Sequence, residues 1–418
     1  MTEPRPATMM VKLRVPTADD QPLATVLGRL IDASRGEPFA DDVLELCSRF
    51  AQRLMADPVA RVHPELMTLG FFMRKAELMR MKREFEAGAR PDVVRVPHGL
   101  VFHVPPANVD TLFMYSWLWS VLAGNSNLVR LSSRSSPVVD HLCNLLVGEL
   151  ERPDMAGPRA RVAMIQYGHD DAITAAISAR TMLRIIWGGD ASIAAIRKAP
   201  LPPFARDLTF ADRFSMLALG AEAVASLHDT GIEQLAERVF NDVFWFDQLG
   251  CASPRLCLWI GERAMVATAR QRLWPAVAHV AAGRGYRPEV SARLGRELFI
   301  HRAVLDGPVI ARTDFGPALA VLRVDRLDGL RRDHPGMGLL FEAAAPSLAS
   351  LERWIDRKDQ TLTHFGMSRQ ELLGLAERLG GRGIDRIVPV GQALHLARFW
   401  DGYDLGAELV RNVHVVVG

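Results

Sequence analysis

The side chain best suited to covalent chemistry in this 418-residue chain is Cys251. It follows Gln248-Leu-Gly250 and precedes Ala252-Ser-Pro254, small residues beside the sulfur and a proline that forbids a continuing helix. Upstream, Leu235, Val239, Phe240, Val243 and Phe246 recur at helical spacing. Downstream, Leu256 to Ile260 is a short apolar run that reads as a buried strand. Cys251 therefore falls in a helix-to-strand turn, where free backbone N–H groups favour thiolate over thiol. One reading is a nucleophile. The other is a small buried hydrophobe, the usual fate of a free cysteine. The remaining cysteines, Cys47, Cys143 and Cys257, add neither metal-site spacing nor the density of a secreted framework. No metal is expected, and a reduced cytoplasmic compartment fits.

A chain of this length exceeds one ordinary core, so two lobes are expected. With 50 basic and 48 acidic residues there is no excess charge to hold nucleic acid or an anionic membrane, and only five of the basic residues are lysine. Met1-Thr-Glu-Pro-Arg-Pro6 is not a signal peptide. The longest apolar run, Leu112 to Ala123, falls short of the roughly 20 residues of a membrane span.

Asp41 is placed to cap a helix carrying Val43, Leu44, Cys47, Phe50 and Leu54, and a second helix runs from Pro64 to Glu86. Extended segments follow at Val93–Val96 and Leu100–Val104. Strands and helices then alternate: helix 110–123, strand 127–131, helix 137–151, strand 161–166, helix 170–181, strand 183–187, helix 190–198. This predicts an α/β lobe with a parallel sheet. No strand is followed by Gly-x-Gly-x-x-Gly, so the standard dinucleotide fingerprint is missing. Gly188-Gly189-Asp190 opens a helix, a place where backbone can approach a phosphate; a tight turn capped by Asp190 accounts for the same residues. After Pro200-Leu-Pro-Pro203 a second α/β lobe is predicted, with strands at 215–219, 256–260, 297–302, 318–324 and 339–343. Val413–Val417 reads as a terminal strand in need of a sheet edge, which a neighbouring subunit could supply.

Four stretches together resemble the aldehyde dehydrogenase superfamily, and within it the acyl-CoA reductase branch that includes the fatty-acyl reductase of bacterial luminescence. They are Pro97-His-Gly-Leu-Val-Phe-His-Val-Pro-Pro-Ala-Asn108, Leu122-Ala-Gly-Asn-Ser-Asn-Leu-Val-Arg-Leu-Ser-Ser-Arg134, the Gln248-Leu-Gly-Cys251 turn, and Arg386-Ile-Val-Pro-Val-Gly391 with Trp400-Asp-Gly-Tyr-Asp404. Asp314-Phe-Gly-Pro317 is a shorter match. The resemblance covers roughly residues 90 to 418. It implies two Rossmann-like α/β lobes plus a small oligomerisation β-arm: residues 1–212 as N-terminal helices and cofactor domain, with the arm near 90–104, 213–405 as catalytic domain, and 406–418 as an oligomerisation strand in a homo-oligomer.

Carried over by position, Cys251 matches the nucleophile and Asn108 the amide that, with the Cys251 N–H, binds the oxyanion. The competing role for Asn108 is a cap for the following helix, for which Asp110 is better placed. Cys257, inside the strand, is most simply core. Arg130 matches the lysine that reaches the adenosine ribose. Ser132, Ser133 and Arg134 stand where many NAD-using members carry a ribose-binding glutamate, which favours a 2′-phosphate and so NADPH, with NADH the alternative. Gly188, Gly189 and Phe315 are further cofactor-contact candidates, Phe315 at the nicotinamide end. The superfamily's glutamate before that phenylalanine falls at Thr313, with Asp314 beside it. The water-activating glutamate of hydrolytic members aligns with Phe210 or Thr209, neither a base at neutral pH. Transfer to or from a thiol such as coenzyme A then remains, without a metal. His103, His364 and His395 are most simply structural or surface residues. The resemblance implies reduction of an acyl-CoA or other acyl thioester. The alternatives are a hydrolytic NAD(P)-dependent aldehyde dehydrogenase and a non-reducing, acyl-accepting subunit beside an acyl-activating synthetase.

Overall fold

The computed structural model describes residues 9–417 except Val62, Ser135 and Arg332. The chain forms two compact units. One runs to Ala211 and takes in Leu396–Phe399 and the segment from Tyr403 on; the other is Asp212–His395 with Trp400–Gly402.

The first unit is built on a seven-stranded sheet. Its parallel part comprises Leu100–Val104, Ser126–Leu131, Val162–Gln166, Leu183–Trp187 and Arg206–Phe210. Counted along the chain, their spatial order is third-second-first-fourth-fifth, the Rossmann arrangement, so the order reverses between Leu100–Val104 and Leu183–Trp187. Leu100–Val104 is buried along its length, and its neighbours are nearly so, as strands covered by helices on both faces must be. Met10–Val15 and Asp20–Pro22 extend the sheet antiparallel.

The second unit repeats the plan. Phe214–Gly220, Pro254–Ile260, Leu339–Ala345, Asp359–Phe365 and Arg386–Pro389 are parallel and take the same relative order. Leu319–Val324 adds a parallel strand beyond Leu339–Ala345, and Val309–Phe315 an antiparallel edge.

Several local expectations are corrected. Leu100–Val104 is a central strand of the first sheet, not part of an arm; Gly99, at φ 112°, breaks it from Val93–Pro97. The last strand is Val410–His414, and its edge comes from its own chain, antiparallel to Val93–Pro97. The helix foreseen from Pro64 to Glu86 is two, Pro64–Met73 and Lys75–Ala87, divided at extended Arg74. Asp41 and Asp190 are first residues of their helices rather than caps. Residues 297–302 belong to the helix Val290–Asp306. Leu298-Phe-Ile300 looks strand-like in isolation, but Ile300 and then Ala303 are buried in the core at helical spacing, with Phe299 packed at its margin, while Leu298 faces outward. The surrounding Ala, Arg, Leu and Glu residues are good helix formers.

Candidate active site

Cys251 stands one turn before the strand Pro254–Ile260, after the helix Asp229–Val243. The chain reaches it through three consecutive residues in the left-handed region, Phe246, Asp247 and Gln248, at φ 54°, 53° and 63°. Such a run is costly for non-glycine residues and persists only where the surroundings impose it. Here they do. Tyr286 donates its hydroxyl to Asp247 Oδ1 at 2.9 Å, and the Met337 N–H donates to the Asp247 carbonyl at 2.9 Å. The buried Gln248 amide donates to the carbonyls of Pro254 at 2.7 Å and Leu339 at 2.8 Å. Ser215 then donates to the Cys251 carbonyl at 2.7 Å. A Cβ at Gly250 would lie 3.1 Å from Leu394 Cδ2 and 3.2 Å from Ser253 Oγ, so any side chain before Cys251 would have to push these neighbours aside.

Cys251 is partly exposed, whereas Cys47, Cys143 and Cys257 are buried. Its sulfur accepts from Gln360 Nε2 at 3.6 Å, and the same nitrogen donates to Asp401 Oδ1. Arg213 faces the other Asp401 oxygen at 3.6 Å and also pairs with Asp385. Cys251, Ser215 and Gln360 thus meet at the amino ends of three adjacent parallel strands. Sequence reasoning missed Gln360 and Asp401. Asp401 lay within the quoted Trp400-Asp-Gly stretch; Gln360 sits in a strand with no motif to mark it.

The thiol itself corrects an expectation. Burial, and after it the charge of Asp401, push Cys251 up to about 11; the Gln360 bond, Arg255 and the Ala252 N–H pull the other way without prevailing. The resting group is a thiol. Asp401 also means that a carboxylate does stand near the sulfur. Its oxygens are engaged by Gln360 and Arg213, and burial raises it above the ordinary carboxylate value.

Phe315 ends the strand Val309–Phe315, packs on the core, and leads into the turn at Gly316, where φ is 72°. Asp314 is taken by Arg312 at 2.8 Å. Cys257 is core. A cavity of about 740 Å³ is lined by Arg302, Arg326, Arg331, Arg353 and Trp354, and Cys251 is not in its wall.

On the first unit, Asn108 lies exposed in the bend after Leu100–Val104, and Gly188-Gly189 follow Leu183–Trp187. Both therefore sit at carboxyl ends of strands flanking the reversal of order, where α/β sheets bind ligands. Neither Asn108 nor Asp110 caps the helix Leu112–Leu122, since its N-cap is Thr111 without a side-chain bond; Asp110 instead accepts from Ser136 Oγ at 2.5 Å. Arg130 is the penultimate residue of Ser126–Leu131, with its guanidinium 4.5 Å from the centre of the Tyr167 ring and donating to the Gly168 carbonyl at 3.2 Å. Ser133 and Arg134 are exposed, and Ser132 Oγ accepts from the Arg134 N–H at 3.1 Å. Ser132 and Arg134 also line a small cleft with Pro105, Ala107 and Asp110. Among the described residues, no carboxylate is paired with Arg130 or Arg134. Gly189 has open space where a Cβ would be. Phe210 is buried and stacked on Trp187, with centroids 3.7 Å apart and planes 8° apart. His103 is buried between Ser116 Oγ at 2.8 Å and Asn127 Oδ1 at 3.0 Å, and burial pushes it down to about 4, so it serves structure.

Two Rossmann-ordered sheets, with a cysteine turn at the amino edge of the second, define the aldehyde dehydrogenase fold. The likeness to solved structures agrees. The Mycobacterium tuberculosis aldehyde dehydrogenase complexed with NAD+ is 10% identical with a TM-score of 0.67, over 99% of this chain and 96% of that one. Aldehyde dehydrogenase 21 from Physcomitrella patens, in complex with succinate, is 12% identical with a TM-score of 0.66, over 93% and 88%. Betaine aldehyde dehydrogenase from Staphylococcus aureus, in complex with NAD+, is 11% identical with a TM-score of 0.64, over 93% and 86%. At such identity the likeness concerns the fold. The family is narrower: residues 75–279 match the acyl-CoA reductase (LuxC) family, a span that includes both Asn108 and Cys251. None of the curated proteins matches the chain in sequence. No helix among the described residues is long and apolar enough to cross a membrane.

Proposed function

We propose that the protein reduces an acyl-CoA, or another acyl thioester, to the aldehyde through an acyl-cysteine on Cys251. The observation that carries this reading is the fixed, partly exposed Cys251 turn in a chain whose reductase-family match spans it. Cys251 gives up its proton to solvent and its sulfur attacks the acyl carbon; the carbon–sulfur bond to coenzyme A breaks, and coenzyme A departs as thiolate, to be protonated by solvent. Asn108 and the Cys251 N–H hold the oxyanion formed on the way. After reduction of the acyl carbon, Cys251 leaves as thiolate and the aldehyde is freed. Both leaving groups are thiolates, so no strong general acid is called for.

The cofactor in this proposal is NADPH, which supplies a hydride and its two electrons when bound. Arg130, stacked on Tyr167, and Arg134 with Ser132 and Ser133 suit a ribose phosphate, since neither guanidinium is spent on a carboxylate among the described residues. Gly188 and Gly189 leave backbone open to the pyrophosphate. Phe315 at the nicotinamide end, a homo-oligomeric assembly and a synthetase partner complete the reading.

A second reading, hydrolytic aldehyde oxidation, is favoured by the single observation that Asp401 stands near the sulfur. Its engaged oxygens leave it poorly placed to activate water. Turnover of acyl-CoAs of varied length with NADPH and NADH tests the choice: acyl-CoA-dependent NADPH oxidation yielding aldehyde supports the proposal. Acid formed steadily from an aldehyde with NAD(P)+ and no coenzyme A supports its rival.

A further inference from the structure

Cys251, Gln360, Asp401 and Arg213 form a chain of polar contacts that runs from the partly exposed sulfur through the buried Gln360 amide to a carboxylate and a guanidinium. Arg213 pairs with Asp385, which also faces Arg357 at 3.9 Å, and donates to the Arg357 carbonyl at 3.1 Å; Asp401 is a second carboxylate on the Arg213 guanidinium. Burying Asp401 costs free energy that a structural ion pair elsewhere would not need. Besides its ion pair with Arg213, Asp401 accepts from Gln360 Nε2, the atom that also reaches the sulfur.

An amide has a donor end and an acceptor end of nearly equal size, and either can occupy a given place. An ionised carboxylate only accepts. It therefore selects the NH2 end of Gln360, and because the sulfur lies beside the same nitrogen, it receives an N–H as well. The carbonyl end is left to Thr361 Oγ1 at 3.4 Å. With the amide reversed, a carbonyl oxygen would face both the carboxylate and a developing thiolate.

Resting on the reading of Cys251 as the nucleophile, we infer that Gln360 is the donor that stabilises the Cys251 thiolate, and that Asp401, gripped by Arg213, is the positioning residue that fixes which end of the Gln360 amide faces the sulfur. The arrangement serves both moments at which Cys251 carries charge: before it attacks the acyl carbon, and as it leaves the reduced carbon. The charged groups around the thiol are Asp401 and Arg213 with Asp385, which Arg357 also faces, and Arg255 with Asp212. Of the two acting directly on the sulfur, Asp401 opposes thiolate formation and Arg255 favours it. As a bare charge Asp401 would only hinder.

That opposition makes the test decisive. The full-length protein is alkylated with iodoacetamide, without substrate or cofactor, and modification of Cys251 is followed by peptide mass from neutral to alkaline pH. In Gln360→Met, close to isosteric, the rate at neutral pH falls about tenfold and the profile moves to higher pH, as expected for loss of one bond to a charged acceptor. Asp401→Asn, which leaves Arg213 its Asp385 partner, also slows the reaction, although removing a neighbouring negative charge would by itself speed it. Placed in the Gln360→Met background, Asp401→Asn speeds it instead, so the two effects are coupled. Thermal unfolding of each variant reports whether it is folded. A profile indifferent to Gln360→Met, or alkylation accelerated by Asp401→Asn with Gln360 in place, overturns the inference. Full acyl-thioester reduction by Cys251→Ala overturns the underlying reading instead, and is measured independently of these rates.

Discussion

Asp242 offers a perturbation whose size follows from the structure. It lies on the helix Asp229–Val243 and is 1% exposed, with Oδ2 accepting from the Gly391 N–H at 2.7 Å and Oδ1 from the Ala393 N–H at 2.9 Å. These bonds fix the turn after Arg386–Pro389, whose Leu394 lies against Gly250 beside Cys251. Burial pushes Asp242 up to about 7 from an ordinary 3.8, against the two N–H bonds and Arg386, which pull it down. A carboxyl group raised in this way favours its protonated form in the folded state. Its stabilising effect is therefore complete below about pH 4, declines as pH rises, and is lost once pH passes about 7. The interval between the two values corresponds to roughly 4 kcal/mol, an order of magnitude for the charge-burial cost at pH 8. Asp242→Asn keeps the shape and one acceptor, sacrifices one bond of about 1–3 kcal/mol, and carries no charge. Urea unfolding of both proteins at intervals between pH 4 and 8 compares the profiles. The variant's stability relative to wild type should improve by several kcal/mol from the acid to the alkaline end. Parallel profiles across that range would refute the argument, because they would show that the Asp242 carboxylate is buried without cost.

Other substitutions probe the site more directly. Asn108→Ala should lower kcat by about 10²–10³ while leaving KM for the acyl thioester nearly unchanged, as for an oxyanion donor; steady-state kinetics checks this. Arg134→Ala and Arg130→Ala should raise KM for NADPH more than for NADH, measured side by side, because the lost guanidinium recognises the phosphate. Gly250→Ala should cost about 1–3 kcal/mol in denaturant unfolding, the usual range for overpacking, since its Cβ would press on Leu394 and Ser253. The same variant should lose acyl-thioester reduction disproportionately, because the displaced segment carries Cys251.

The alternation from Val93 to Arg197 was legible because each strand is a short apolar run closed by a turn, and each helix shows its buried face at regular spacing. Cys251 stood out from its turn, whereas Asn108 and Arg130 became candidates only through the resemblance to the aldehyde dehydrogenase superfamily. Elsewhere local patterns misled. Leu298-Phe-Ile300 reads as a strand until Ile300 and Ala303 are seen to share the buried face of a longer helix. Val410–His414 finds its edge in Val93–Pro97, more than 300 residues earlier, which no local pattern can reveal. Gln360 was invisible for the same reason: its role depends on Cys251 and Asp401, and the sheet brings these together across long separations. The resting state of the thiol was misjudged because burial and Asp401 outweigh the backbone N–H that the turn does supply.

The central claim is that Cys251 accepts an acyl group and does not surrender it to water. Mixing the protein with an acyl-CoA in the absence of any nicotinamide cofactor, then following free coenzyme A and intact protein mass together, tests it most directly. The account predicts release of one equivalent of coenzyme A and a lasting acyl adduct on Cys251 that disappears when NADPH is added. Continuous coenzyme A release without reductant, or no adduct on Cys251, would contradict it.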